Sequence, residues 1–489
     1  MLSVEKKMYK GASWLALFKL VSQVLSWMIT ILVARILTPG DYGLMEMSTI
    51  LTGYAMIFSE LGLGSAIIQR QGITPREMSS IFWFMLAFSS FMAVLCLVLA
   101  YPTAAIFNDH RVIPLTQAVS VLFILTGLQI VPSSMLRKEL EFKTIGMIEM
   151  TGTVVSSICM YAFACLGAGV WTLLGGHIIR ELVKLVMMYL KAGWLPSGSF
   201  SFQEVKSYLG FGINVAMGRT LHYVYDKSDK FFAGRAWPVH MLGYYSFALQ
   251  LAKIPTDKIV SLINQASYPA FAQLQASRDE FNRFYLRISK VTMVIVLPIF
   301  VGGFMVGDEL VRLLLDEKWL PIIPLFRYLC LAQLIVSLIP INNLAHVAQG
   351  RPHWSLAFNA VVTVFMPISF YFATRHGLNA ILIPWFTTYL VLCTGWTLVT
   401  LKKIGIGPGT YLGNLFKPAA AVVTMSLGIL AFQTLAEKAP RIDPGILVTL
   451  AIEVAIGALL YAGFLWVFDR GMVLELKKLR SDEKMREAA

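Results

Sequence analysis

Two apolar segments near the middle of the 489-residue chain carry charged and amide side chains at regular intervals. The first contains Asn214 and then, at i, i+4, i+7 and i+11, Arg219, Tyr223, Asp226 and Lys230. The second contains, at intervals of three or four residues, Gln250, Lys253, Asp257, Ser261 and Asn264. Such intervals place side chains on one face of an α-helix. At bilayer depth a charge is tolerated where it faces a bundle interior or a water-filled cavity. The two segments therefore predict half the wall of a polar cavity in a membrane transporter.

The composition indicates a polytopic membrane protein. Hydrophobic residues make up 57% of the chain and charged residues only 14%, and the mean hydropathy is +0.68. A soluble protein would carry about 25% charged residues. The net charge of +13 could suggest nucleic acid, but the cations lie in short connections between apolar runs, which is typical of membrane topology. We therefore expect membrane lipids around the chain and no nucleic-acid partner.

Apolar stretches of about 20 residues predict fourteen transmembrane helices in an all-α fold. An even number of helices puts both ends of the chain on one side of the membrane. Of the 41 Lys and Arg residues, 24 lie on that side, 8 on the other side and 9 within the predicted helices. Because positively charged connections remain in the cytoplasm, both termini are predicted to be cytoplasmic. The connections on the other side are short and leave no room for an external domain.

An internal repeat divides the chain into two lobes. The sequence from Ala34 to Gly43 has a counterpart two hundred residues later, from Gly234 to Tyr244. Six helices separate equivalent positions, so the repeat is parallel, about an axis along the membrane normal. The predicted parts are an N-terminal six-helix lobe, an amphipathic linker, a C-terminal six-helix lobe, two extra helices and a basic tail, at 1–195, 196–209, 210–405, 406–468 and 469–489. Two such lobes can rock around a central site.

The repeat extends the polar face to the first helix, where Lys19 and Gln23 correspond to Arg219 and Tyr223. Lys19 and Arg219 would then be cations at equivalent depths, one in each lobe. The alternative is that each reaches the inner membrane surface or forms a structural ion pair. Lys253 could likewise pair with Asp257, four residues further along its own helix.

Other polar clusters have a simpler explanation, and the motifs of catalysis are missing. On the sixth helix Arg180, Glu181 and Lys184 share one face and are interpreted as a structural ion-pair cluster. The glycine-rich run at 405–409 lacks the Gly-Lys-Ser/Thr of a phosphate-binding loop. The seven histidines and five cysteines lack the spacing of a metal site or of a disulfide framework. We therefore predict no enzymatic activity, cofactor or bound metal.

Two runs of residues resemble a known family. The central run contains Gly234-Arg235, Leu242-Gly243-Tyr244-Tyr245-Ser246, Pro255 and Tyr268-Pro269-Ala270-Phe271. The N-terminal run contains Ala34-Arg35-Ile36-Leu37-Thr38-Pro39-Gly40-Asp41-Tyr42-Gly43. In combination they are similar to Wzx-type bacterial polysaccharide flippases, in the polysaccharide transporter branch of the multidrug/oligosaccharidyl-lipid/polysaccharide exporter superfamily. The colanic acid exporters are the subgroup they resemble most. Tyr268 is a mild departure, because Phe is expected there.

The resemblance implies that the chain moves an undecaprenyl-diphosphate-linked oligosaccharide, such as an exopolysaccharide or O-antigen repeat unit, across the bacterial inner membrane by alternating access. The tail would stay in lipid while the headgroup occupies a cationic cavity. The candidate ligands of the diphosphate are Lys19, Arg219, Lys230 and Lys253. Those of the sugar hydroxyls are Gln23, Asn214, Tyr223, Gln250 and Asn264. A polysaccharide polymerase and a chain-length regulator are implied partners.

The energy source is left open by the sequence. The candidates for coupling export to a proton or sodium ion are Glu46, Glu60, Asp226, Asp229 and Asp257. Membrane potential alone could also move an anionic headgroup outward.

Two other functions are alternatives at this stage. A multidrug or cation antiporter of the same superfamily would favour an acidic, aromatic-lined cavity and would tolerate charge reversal at Lys19 and Arg219. A membrane glycosyl polymerase or ligase would need a sizeable outer loop for its acceptor chemistry, and the predicted outer loops are short.

Overall fold

The computed structural model describes residues 2–59, 63–70, 72–438 and 445–470, which are helical apart from short connections and contain no β-strand. This confirms the all-α class. The chain forms two compact units, Met1–Ser246 and Phe247–Ala489. The helices of the first unit are α1 (Leu2–Ile36), α2 (Pro39–Ser59), α3 (Leu63–Gln69), α4 (Pro75–Phe107), α5 (Val112–Lys138), α6 (Phe142–Cys165), α7 (Trp171–Ala192) and α8 (Phe202–Ala236).

Helix α9 (Val239–Pro255) begins in the first unit and continues into the second. The remaining helices are α10 (Ser261–Gln273), α11 (Arg278–Met305), α12 (Gly307–Leu314), α13 (Ile322–Val336), α14 (Ile339–Ala348), α15 (Pro352–Ala373), α16 (Leu390–Ile404), α17 (Pro408–Lys438) and α18 (Ile446–Phe468). Helix α8 includes residues 202–209, which belong to the predicted amphipathic linker, and the tail at 471–489 lies outside the described residues.

Hydropathy separates the helices into two groups. Among the described residues, nine helices are long and apolar enough to cross a membrane, or ten if the bent pair Val21–Ile36 and Pro39–Ile57 is counted. Helices α1, α2, α7 and α8 and the α9–α10 segment fall outside the nine, and all of them except α7 carry predicted site residues. The count of fourteen requires these five segments to cross as well, and it stays a prediction.

The α1–α2 corner is a tight turn closed by a side-chain cap. The Thr38 backbone N–H donates to Asp41 Oδ2 at 2.8 Å, and the Asp41 backbone N–H donates to Thr38 Oγ1 at 3.3 Å. Reciprocal bonds of this kind satisfy backbone donors that the first turn of a helix leaves free, and a carboxylate there also favours the helix dipole. The sequence Thr-Pro-Gly-Asp therefore ends one helix and starts the next, with a bend of 117° between them.

Two glycines bring the backbones of α2 and α9 into direct contact within the first unit. A Cβ atom added to Gly43 would lie 2.0 Å from the carbonyl oxygen of Val239, and one added to Gly243 would lie 1.7 Å from that of Pro39. The contact is reciprocal, and its partners differ by two hundred residues, which is the offset of the sequence repeat. Only residues without a side chain allow such an approach.

The second unit contains two π-helical turns, each directly after a proline. Residues Thr256–Val260 follow Pro255, and Trp385–Tyr389 follow Pro384. Proline has no backbone N–H, and its ring clashes with the preceding turn, so the regular hydrogen-bond ladder is interrupted. A π turn absorbs the extra residue at such a break. The first of these turns lies in the polar segment that contains Lys253 and Asp257.

The two units have separate apolar cores. In the first, Leu63, Ile67, Phe82, Met85 and Val131 pack together from α3, α4 and α5. In the second, helices α11, α12, α17 and α18 share a core that includes Val294, Met425, Ile429, Tyr461 and Leu465. Ion pairs also anchor the end of α18 to its neighbours. Asp469, directly after this helix, pairs with Lys290 of α11 at 2.6 Å and with Lys417 of α17 at 3.7 Å.

Candidate functional site

An ionic cluster joins α2 to α8 within the first unit. Lys227 Nζ donates to Glu46 Oε1 at 2.7 Å, and Lys230 Nζ lies 3.1 Å from Glu46 Oε2. The exposed side-chain fractions are 15% for Glu46, 23% for Lys227 and 13% for Lys230. The two ammonium groups thus share one carboxylate in a largely buried cluster.

A tyrosine continues the same contact along both helices. Tyr223 Oη donates to the carbonyl oxygen of Ile50 at 2.8 Å and lies 3.3 Å from that of Thr49. A Cβ atom on Gly53 would lie 2.3 Å from Tyr223 Oη, so the glycine makes room for the ring. The face of α2 that holds Glu46 and Gly53 thus meets the face of α8 that holds Tyr223, Lys227 and Lys230.

Asp229 has a different environment from its neighbours on α8. It is buried, and the buried Tyr245 at the start of α9 donates its hydroxyl to Asp229 Oδ2 at 2.6 Å. The backbone N–H of Lys230 donates to Asp229 Oδ1 at 2.7 Å. Both carboxylate oxygens therefore accept hydrogen bonds, the one from Tyr245 ties α8 to α9, and an ion could use the oxygens only by displacing these donors. Asp226 is partly buried on the same helix.

The predicted residues of the second unit follow one another along α9 and α10. Gln250 and Asp257 are exposed, and Lys253 is partly buried. The Asn264 Oδ1 atom is buried without a hydrogen-bond partner among the described residues. Nearby, Thr256 Oγ1 in the π turn donates to Gln333 Oε1 of α13 at 3.3 Å. The segment offers a cation, a carboxylate and an amide along one interrupted helix.

Several predicted residues cannot be placed in atomic detail. Lys19, Asn214 and Arg219 lie on α1 and α8, but their side chains are outside the described part of the structure, and Glu60 lies wholly outside the described residues. Gln23 is partly buried on α1. The roles assigned to these residues stay predictions.

Lys227 is the main functional candidate that the sequence analysis missed. The predicted polar face was drawn through Arg219, Tyr223, Asp226 and Lys230, and it passed one residue away from Lys227. The signal was available in the spacing, since Lys227 stands four residues after Tyr223 and three before Lys230. Choosing between Asp226 and Lys227 requires knowing which side of α8 faces α2.

A second ionic cluster in the first unit has the structural form that the sequence suggested. Glu181 on α7 pairs with Lys184 at 3.0 Å and with Arg180 at 3.3 Å, and Gln129 of α5 donates to its backbone carbonyl at 3.0 Å. Lys184 also lies 3.6 Å from Glu149 of α6. Lys184 thus joins α7 to α6 and Gln129 joins α5 to α7, as expected of polar contacts that hold helices together.

Within the described residues no group of three or more His, Cys, Asp or Glu side chains has the arrangement of a metal site. The chemistry that these residues offer is charge-assisted hydrogen bonding from lysines and neutral hydrogen bonding from amides and phenols.

The fold is that of a multi-helix membrane transporter. It matches the structure of the lipid II flippase MurJ in an inward closed conformation with a TM-score of 0.74, covering 94% of this chain and 99% of that chain. The two sequences are 13% identical, so this likeness concerns the fold alone.

Sequence comparison identifies the family. Residues 32–324, more than half of the chain, match the family described as polysaccharide biosynthesis protein, and the chain belongs to that family. The lipopolysaccharide biosynthesis protein WzxC of Escherichia coli (strain K12) is 26% identical over 372 residues, which cover 75% of each chain. The teichuronic acid biosynthesis protein TuaB of Bacillus subtilis (strain 168) is 23% identical over 469 residues, covering 94% of this chain and 95% of TuaB. These matches confirm the resemblance to Wzx-type proteins.

Proposed function

We propose that the protein is a flippase that moves an undecaprenyl-diphosphate-linked oligosaccharide from the inner to the outer leaflet of the bacterial inner membrane. The observation that carries the proposal is the pair of largely buried lysines on α8, Lys227 and Lys230, in a member of the polysaccharide biosynthesis family. Buried ammonium groups require an anionic partner, and a diphosphate has several oxygens that can accept their hydrogen bonds. The relatives, named for lipopolysaccharide and teichuronic acid biosynthesis, support a lipid-linked sugar as substrate.

In this proposal the headgroup enters from the cytoplasm and first meets Lys19 and Arg219, while its polyprenyl tail remains in lipid. Lys230 and Lys253 then bind the diphosphate, and the sugars contact Gln23, Asn214, Tyr223, Gln250 and Asn264. Both termini are placed in the cytoplasm by the positive-inside rule. An anion of about −2 that moves outward gains roughly 5 kcal/mol at 100 mV, so membrane potential can contribute to the driving force. A polymerase and a chain-length regulator would act on the exported unit.

Transport can be measured directly with the purified protein in liposomes. We expect a polyprenyl-diphosphate-linked oligosaccharide with a fluorescent sugar to become accessible to a membrane-impermeant quencher, and the neutral polyprenyl glycoside to remain protected. Liposomes without protein are the control for spontaneous flipping. Export of ethidium, with no movement of the lipid-linked sugar, would instead favour the drug and cation antiporter and overturn the proposal.

Arg219→Ala tests the cationic face of α8 in cells. We expect the variant to abolish polysaccharide export in a flippase-null strain that the unaltered protein rescues, because the diphosphate would lose a ligand with no substitute at that level. Lys206→Ala, at an exposed position near the start of the same helix, is the matched control and should support full export. Equal amounts of both variants in the membrane must be verified by immunoblot. Full rescue by Arg219→Ala would remove this residue from the site.

A further inference from the structure

Glu46 holds two lysines that a phosphate group could also hold. Its Oε1 atom accepts from Lys227 Nζ at 2.7 Å, and its Oε2 atom lies 3.1 Å from Lys230 Nζ. The two ammonium groups share one carboxylate, and each contacts a different oxygen. In the same geometry they could each donate a hydrogen bond to one of two phosphate oxygens. The carboxylate thus occupies the place that an anionic ligand of the lysines would take.

The cluster lies near one end of the helices that form it. Glu46 is seven residues from the start of α2 at Pro39, and Lys230 is six residues from the end of α8 at Ala236. At a rise of 1.5 Å per residue, the cluster is about 10 Å from that end. Arg219 is eleven residues earlier on α8, about 16 Å deeper along the helix axis. The chain therefore has cations at two positions along α8, and Glu46 pairs with the cations nearer the α1–α2 and α8–α9 corners.

We propose that Glu46 is an internal anion that occupies the Lys227–Lys230 pair until a phosphate of the substrate displaces it. The inference rests on the proposed function and adds one step to it, in which a substrate phosphate replaces the Glu46 carboxylate on the two lysines. The displaced carboxylate loses the bonds that join α2 to α8 at this depth, while the hydrogen bond from Tyr223 to Ile50 remains. Arrival of the headgroup at the two lysines therefore weakens the contact between the two helices.

The exchange also makes the site selective. A neutral lipid-linked sugar cannot replace a carboxylate on two ammonium groups, because it brings no negative charge in place of the carboxylate. A monophosphate or a diphosphate can, and the diphosphate brings the larger negative charge to the two lysines. The lysine pair would therefore allow transport of phosphorylated lipids only.

The Glu181 cluster provides a built-in comparison. Lys184 is shared between Glu181 at 3.0 Å and Glu149 at 3.6 Å, so there one lysine lies between two carboxylates instead of one carboxylate between two lysines. An added anion has no reason to bind there. If Glu46 acted only as a structural partner, its loss and the loss of Glu149 would both affect stability, and neither would change the affinity for a phosphate.

The test measures binding of farnesyl diphosphate, a short polyprenyl diphosphate, to the purified full-length protein in detergent, with farnesol as the uncharged control. We expect Glu46→Gln to bind farnesyl diphosphate about tenfold more tightly than the unaltered protein, because the competing anion is gone while the shape is kept. The double variant Glu46→Gln with Lys227→Gln should lose this gain. Glu149→Gln is the matched control and should bind as the unaltered protein does. Farnesol binding should be the same throughout.

Unchanged or weaker binding by a folded Glu46→Gln variant overturns the inference. If that variant cannot be obtained folded, Glu46→Asp replaces it, since the shorter side chain cannot hold both lysines at their present distances and should also bind more tightly. Failure of the inference is distinct from failure of the proposed function. In the first case the unaltered protein transports the lipid-linked oligosaccharide in liposomes and only the affinity change is missing, whereas in the second the transport itself is missing.

Discussion

The charged side chains of α8 differ in what they can do, although they follow one another closely in sequence. Lys227 and Lys230 face α2 and both contact the Glu46 carboxylate, one at each oxygen. Asp229, between them, accepts from Tyr245 and from the backbone and serves to join α8 to α9. A buried charge whose hydrogen bonds are all made within the protein is most simply explained as structural. We therefore favour the lysines over Asp229 as the functional groups of this helix.

Tyr245→Phe tests the structural role of Asp229. Removing the hydroxyl leaves a buried carboxylate oxygen without one of its donors, which we expect to lower the free energy of unfolding by about 2 kcal/mol. The measurement is the denaturant midpoint of the purified protein, with Tyr101→Phe at an exposed position of α4 as the control that should not shift. If Asp229 instead exchanged a proton or sodium ion during transport, Tyr245→Phe would leave the midpoint unchanged and alter the dependence of transport on that ion.

At the scale of helices, the glycine contact between α2 and α9 explains why the repeat is visible in the sequence. Gly43 and Gly243 are equivalent positions, and each lies against a carbonyl at the start of the other helix. A reciprocal contact of equivalent residues is what two copies of a motif form when a two-fold axis passes between them. The structure thus brings the two copies of this motif together, and the repeat of whole lobes stays a prediction.

Gly243→Ala is expected to force the two helices apart. The new methyl group would lie 1.7 Å from the carbonyl oxygen of Pro39, and a backbone atom cannot turn away as a side chain can. Overpacking commonly costs about 1–3 kcal/mol, and contact with backbone should place this variant at the upper end of that range or above it. Gly40→Ala is the control on α2, since its nearest neighbour is Thr38 Oγ1 at an ordinary 3.6 Å. Equal melting temperatures for the two variants would show that the contact does not matter for stability.

At the scale of the whole molecule, several segments that carry predicted site residues fall outside the helices that length and hydropathy identify as membrane spans. Nine helices of the described chain qualify as membrane spans, whereas α8, with Lys227, Asp229 and Lys230, does not. Polar side chains on a spanning helix are stable only when the rest of the bundle shields them. The fourteen-helix topology therefore needs its own test.

Thiol labelling in spheroplasts tests the topology. In a background with the five native cysteines replaced by serine, we expect Asp316→Cys to react with a membrane-impermeant maleimide, because the connection between α12 and α13 is predicted to face outward. Arg137→Cys, at the end of α5, should be labelled only after the membrane is permeabilised. The reverse pattern would invert the orientation, and labelling of both positions in sealed spheroplasts would contradict the helix count between them.

The sequence alone indicated the class of protein and the apolar helical segments, and it predicted a repeat. The helical segments follow from local properties, because apolar length acts within a few turns of chain. The sequence also showed that α8 has a polar face. These expectations needed no knowledge of which helices are neighbours.

Only the tertiary structure decided which charges meet. Successive residues of a helix point about 100° apart, so the choice between Asp226 and Lys227 depends on the rotation of α8 against α2, which is set by side chains some 180 residues away in the chain. Tyr223, Lys227 and Lys230 reach α2, whereas Asp229 reaches Tyr245 of α9. The same packing makes Gly43 and Gly243 neighbours rather than merely similar in sequence. Contacts between distant segments depend on how whole helix surfaces fit together, and no local pattern contains that information.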